Sequence, residues 1–226
     1  MNQKISDKRN MASSLDSQGV EALFRGDYAA ARAFHRKSLT LFREMDDKSG
    51  IEMALNSLGC VALVEGNYKE ARSLHEESLA LARELGNKSV IARSLDNLGL
   101  VAFAQGEFAE AQTLHTESLA LAQELGDDYR GDTHRIAYLM LELAGEAAAL
   151  GLFRRAICLA AVAETQRAAL ELDWEPLVHL PYERAIASVR IILDEDAYSE
   201  AWAQGEKMTQ AEAVAYVLRP DGSTIA

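Results

Sequence analysis

The chain has 226 residues, 35 acidic against 23 basic for a net charge of −12, and hydrophobic residues make up 49% of it. That balance excludes a protein that tracks a phosphate backbone, because direct nucleic-acid binding needs a basic stripe. Only 3 prolines stand against this ample apolar material, which suits packed helices rather than a sandwich of short strands. The class is all-α.

Residues 1–11 read as a flexible leader. Lys4, Lys8 and Arg9 are basic but no apolar core follows them, and no apolar run approaches the roughly 18 residues of a membrane span. The expectation is a cytoplasmic protein with no membrane partner. Cys60 and Cys158 are the 2 cysteines, each inside an apolar helical stretch, and no disulfide framework or zinc motif can be drawn from them.

From residue 12 a period of 40 residues governs the chain: Gly26-Asp27-Tyr28, Gly66-Asn67-Tyr68 and Gly106-Glu107-Phe108 stand in register. Ala31, Ala71 and Ala111 follow, then His35, His75 and His115, and then Ser38-Leu39, Ser78-Leu79 and Ser118-Leu119. A repeat of this length is the mark of a helical solenoid. The first helix of each unit carries a mid-helix glycine, Gly19, Gly59 or Gly99. Such a glycine costs on the order of 1 kcal/mol relative to alanine, so close approach of a neighbouring helix is expected there. The turn glycines Gly26, Gly66 and Gly106 suit the left-handed conformation after a helix end. The second helix follows, with apolar residues such as Tyr68, Ala71, Leu74 and Leu85 at mostly three-, four- and seven-residue spacing.

Repeats are therefore placed at about 12–47, 48–87, 88–127 and 133–172. Gly151-Leu152-Phe153 with Ala156 marks the fourth, and Phe153 lies 45 residues after Phe108 instead of 40. The five extra residues fit the polar stretch 127–132. Helices are expected at roughly 12–25, 28–45, 49–65, 68–85, 88–105, 108–125, 133–150 and 153–170. Beyond Leu172 the periodicity stops. Asp173-Trp174-Glu175-Pro176 and Leu180-Pro181 read as loop, followed by helices near Pro181–Leu193 and Ala197–Ala203. Thr209 with Glu212 three residues on forms a capping box for a last helix to Leu218. Residues 173–218 would cap the solenoid's open end, whose apolar surface would otherwise be wet, and 219–226 read as a loose tail.

Leu58, Gly59, Ala62, Gly66, Tyr68, Ala71 and Ser78, and one period on Leu98, Gly99, Ala102, Gly106, Phe108, Ala111 and Ser118, resemble the small and aromatic consensus positions of the tetratricopeptide repeat. Gln18 departs from the leucine expected in the first unit and Ala144 from the glycine expected in the fourth. The resemblance implies a right-handed superhelical solenoid of about four helix pairs with a C-terminal helical cap. Glu76-Glu77-Ser78-Leu79-Ala80-Leu81-Ala82-Arg83-Glu84-Leu85-Gly86, and Ala201 to Thr209 with Glu212 to Tyr216 behind, look like the C-terminal repeat (sensor) region of bacterial ATPase transcriptional regulators of the LuxR and AfsR kind. No G-x-x-x-x-G-K-[ST] phosphate loop occurs in the sequence, so the ATPase activity of such relatives does not carry over.

The histidine ladder is the most tempting chemistry. Packed helices lie about 8–10 Å apart, whereas zinc needs its nitrogens at about 2.0–2.1 Å, so the three rings are read as core residues and no metal is expected. No nucleophile, base and orienting group converge, so no catalytic residue and no cofactor are assigned. In tetratricopeptide solenoids the first helices line the concave face. Alignment on the mid-helix glycines then puts Asp16, Asn56 and Asp96 at one groove position, Val20, Cys60 and Leu100 at another, and Leu23, Leu63 and Phe103 one turn further. An apolar floor with an acidic edge implies a protein or peptide partner with apolar and basic side chains, and self-association is possible. The expected function is a non-enzymatic binding module, scaffold or regulatory sensor. The alternative is a small-ligand-sensing domain of a bacterial transcriptional regulator, with the ligand held between the last repeats and the cap.

Overall fold

The computed structural model describes residues 2–125, 132–171 and 176–219. Among these residues are eleven α-helices and no strand: α1 (Asn2–Phe24), α2 (Tyr28–Glu44), α3 (Lys48–Val64), α4 (Tyr68–Leu85), α5 (Lys88–Ala104), α6 (Phe108–Leu125), α7 (Asp132–Ala149), α8 (Phe153–Leu170), α9 (Pro176–Ile192), α10 (Glu195–Glu206) and α11 (Gln210–Leu218). Helices α2 to α6 fall where the 40-residue register puts them, and α7 and α8 follow with the five-residue offset. The turns explain why: Gly26, Gly66, Gly106 and Gly151 have φ of 76°, 75°, 80° and 78°, a left-handed conformation in which a side chain would be strained. The Asp27 carboxylate then accepts a hydrogen bond from the Ala30 amide at 3.0 Å, capping α2 as an N-terminal aspartate should.

The chain divides into two compact units, Met1–Val101 and Ala102–Ala226. In the first, α1 packs on α2, α2 on α3, α3 on α4, and the first helices α1 and α3 touch each other. Ala12, Leu39, Phe42, Ala54, Leu55 and Leu58 form a core there, and each fully buried leucine or phenylalanine stabilises the unit by about 1.5–3 kcal/mol relative to exposure. In the second, α7 packs on α6, α8 and α9, and α10 and α11 lie on α8. Ala147, Ala148, Ala156, Ile157, Val189 and Ala201 close that core, with Phe153, Leu193, Tyr198 and Trp202 packed around it. The helices beyond residue 176 thus cover the last repeat, and Thr209 and Glu212 form the expected capping box.

Two expectations need correction. Residues 2–11, expected as a flexible leader, belong to α1. They carry no apolar stripe for a pattern search to find, yet Lys8 pairs with Glu44 and Arg9 with Asp47 at 2.9 Å, and elongating an existing helix is far easier than nucleating one. Pro181, taken as a helix start after a loop, lies inside α9, which begins at Pro176. Proline fits the first helical position without loss, and the hydrogen bond missing at Pro181 is offset by Tyr182 beside it, which is 1% exposed. The proposed insertion falls mostly on residues 126–131, Trp174 on 172–175 and the tail on 220–226, all outside the described residues.

Candidate functional site

The recurring glycine and histidine are two halves of one contact. A Cβ built on Gly19 would lie 2.5 Å from His35 Cε1, and one on Gly59 would lie 2.5 Å from His75 Cε1. Both rings are fully buried. In these two units the second helix therefore lays an imidazole against the glycine of its first helix, which is the close approach that the glycine's cost requires. The rings serve packing.

This contact decides where the groove residues go. Asp16 precedes Gly19 by three residues, and residues three apart share a helix face, so Asp16 turns with the glycine toward α2. It is 7% exposed, and its carboxylate accepts from His35 Nδ1 at 2.7 Å. Asp16 is thus a buried partner of the histidine, contrary to the expected acidic rim. Asn56, the equivalent residue, is half-buried and accepts from Asn97 Nδ2 at 2.7 Å. Asp96 is half-buried as well. Among the floor positions Val20 is exposed, whereas Leu23, Cys60, Leu63 and Leu100 are half-buried. Phe103 leaves the set altogether. It is buried, stacked on Tyr182 with ring centroids 3.9 Å apart and edge-on to Phe108 at 5.2 Å.

With asparagine in place of aspartate at position 56, no described group hydrogen-bonds either ring nitrogen of His75. Burial first, and the Arg93 guanidinium second, lower its pKa to about 4, so the ring is neutral at pH 7. The recurring serine has a matching role. Ser38 donates to the Ala12 carbonyl at 2.8 Å, and Ser78 donates to Glu52 Oε1 at 2.9 Å. Glu52 is 4% exposed and also accepts from Arg93 at 3.0 Å. A carboxylate at that depth needs such partners.

In the second unit the surface of α7 is taken by the protein itself. A Cβ on Gly145 would lie 2.6 Å from Tyr182 Cδ1, so α9 rests directly on α7. Beneath it, His115 Nδ1 donates to Glu146 Oε1 at 2.5 Å, and Glu142 Oε2 lies 3.8 Å from Nε2. Burial pushes the Glu146 carboxyl up, against the pull of His115. The sequence gives no sign of this cover, since α9 carries no repeat register. Sequence reading also misses Phe24, one helical turn from Val20 and 73% exposed; its cue would have been the apolar pair at i and i+4 near the end of α1. Cys158 is buried and its thiol is pushed up to about 11 by that burial.

Residues 50–124 match the family model described as Tetratricopeptide repeat. A comparison with curated proteins gave no significant match. Among solved structures, BtubC (BKLC) from P. vanneervenii is similar in fold, with a TM-score of 0.63 at 19% sequence identity; the match covers 72% of this chain and 65% of that one. Less than two thirds of that protein's length is therefore spanned. The matched segment runs through α3 to α6, so tetratricopeptide-like helix pairs are present there, and repeats of this kind generally mediate protein–protein interaction and are typically non-catalytic.

Proposed function

We propose that the chain is a non-enzymatic protein- or peptide-binding module whose contact surface is the row of first helices in residues 1–101. The observation that carries this reading is the apolar strip formed by Val20, Leu23, Cys60, Leu63 and Leu100, exposed or half-buried on α1, α3 and α5. The equivalent helix of the last repeat, α7, has its surface covered by α9. An amphipathic helix or extended segment laid on the strip would bury apolar anchors between the first helices. The basic side chains expected of that partner lose their support at Asp16, which His35 engages, so apolar anchors carry the recognition. The test is selection of a peptide ligand from a display library on the full chain, followed by titration of Val20→Glu and Leu63→Glu. Both variants should lose binding at least about tenfold, as burial of an unpaired charge demands. Unchanged affinity in both would move the site elsewhere.

A second reading, a small-ligand sensor in the manner of a bacterial regulator, is favoured by a cleft of about 890 Å³ in residues 102–226, between the last two second helices and the cap. That volume suits a small-molecule site. A fluorine-NMR fragment screen against the full chain tests it, with saturable binding expected; absence of any hit at millimolar concentration would remove the reading.

A further inference from the structure

The cleft is built from the second helices α6 and α8 and from the cap. Gln112 and Thr116 of α6, Arg154 and Arg155 of α8, and Tyr216 and Arg219 at the end of the cap line it. Three arginines meet here in a chain of net charge −12, and none of the described lining residues is acidic.

The charge reversal is legible against the other repeats. Where the earlier units carry Asp27, Asn67 and Glu107, the fourth carries Leu152, and where they carry Ala30, Glu70 and Glu110 it carries Arg155. Leu152 offers no side-chain bond to the start of α8, whose first amides have no partner within the helix, and residues 151–155 with their two cations line the cleft. Cations at a helix N-terminus oppose its dipole. Contacts with Glu200, Val217 and Tyr216 hold the two arginines there, and an arriving anion would satisfy both the amides and the cations.

The arginines differ in how far they are engaged. Arg154 pairs with the exposed Glu200 at 2.5 Å, a contact of little strength in water. Arg155 is half-buried, donates through one terminal nitrogen to the Val217 carbonyl at 3.1 Å and lies 5.2 Å from the centre of the Tyr216 ring. These contacts hold the guanidinium in place. Its Nε is buried, and no described group accepts from it. Arg219 is exposed at the rim. Leu193 and Val217 supply apolar wall.

We propose that this cleft binds a small anionic ligand, one bearing a carboxylate or phosphate on an apolar or aromatic body, with Arg155 and Arg219 holding the anion and Tyr216 and Leu193 the body. This rests on the small-ligand reading given above. Guanidinium forks match both oxyanions, and charge-assisted bonds are the strong ones.

The test is calorimetric titration of the full chain with phenyl phosphate, benzoate, inorganic phosphate and uncharged benzyl alcohol. At least one aromatic anion should bind saturably and more tightly than inorganic phosphate, and the better of the two identifies the head group. Arg155→Gln and Arg219→Gln should each weaken it by about tenfold or more, while Arg184→Gln on α9, outside the cleft, should leave it unchanged. Arg219 is exposed, so its variant remains informative even if Arg155→Gln folds poorly. Benzyl alcohol binding as tightly as the anions, or full affinity in Arg219→Gln, would overturn the anion assignment and leave the small-ligand reading standing. No binding of any probe at millimolar concentration overturns both.

Discussion

Gly59 and His75 share one space: the imidazole fills the volume that a side chain at 59 would need, with its Cε1 2.5 Å from where a Cβ would sit. Gly59→Ala should therefore destabilise the protein by about 1–3 kcal/mol through overpacking, although alanine is the better helix former. His75→Ala opens the space, so the double variant should lose less than the two singles together. Urea denaturation of the four proteins measures it, and strict additivity would show that the two positions do not compete.

His75 also gives the stability a pH dependence. Its folded pKa is lowered from 6.5 to about 4 by burial first and by Arg93 second. The unfolded chain therefore binds the proton more readily, and the contribution of the neutral ring is complete above pH 6.5 and is lost as pH falls from 6.5 toward 4. The size is on the order of 3 kcal/mol. His75→Gln, which cannot titrate, should show a smaller loss of unfolding free energy than wild type between pH 7 and pH 5. Parallel losses would mean that the ring titrates normally in the folded protein.

Glu52 and Arg93 make a pair of unequal depth, 5% and 37% exposed at the side chain. Removing the shallower member strands the deeper one, so Arg93→Met should cost about 2 kcal/mol, somewhat below the range for a fully buried pair because Arg93 is partly solvated. Glu52→Gln keeps an acceptor for Ser78 and frees an arginine that water can reach, and should cost less. Thermal unfolding ranks the two, and the reverse order would contradict the assignment of Glu52 as the buried charge.

Tyr182 holds α9 on α7. Its removal in Tyr182→Ala should cost about 3–5 kcal/mol, the range for a large buried aromatic, and should raise the solvent exposure of Phe103, its stacking partner at 3.9 Å. Hydrogen exchange of α7 and α9 reports the loss, with faster exchange expected in each helix, and unchanged exchange would show that Tyr182 does not hold α9 on α7.

The helices and turns were legible because every unit repeats the same glycine, aromatic and alanine at the same step, so local propensity and periodicity agree. The direction of Asp16 was less so. Alignment on Gly19 fixes its place along α1, and its three-residue offset from that glycine points it at His35 instead of at the rim. Phe103 could not be assigned from repeats at all, since the ring that covers it comes from α9, a helix outside the register. The cationic start of α8 was visible as Leu152, Arg154 and Arg155, but its meaning needed α11 alongside to form a cleft.

The native cysteines offer the most direct measurement of the proposed binding surface. Cys60 is half-buried in the apolar strip, whereas Cys158 is buried in the second unit with its thiol pushed up to about 11, and serves as an internal reference because the thiolate is the reactive form. With the selected peptide at saturation, alkylation of Cys60 by iodoacetamide, followed by mass spectrometry, should slow at least about tenfold relative to free protein. Cys158 should remain unmodified in both. A Cys60 rate unchanged by saturating peptide would contradict binding on the first-helix strip.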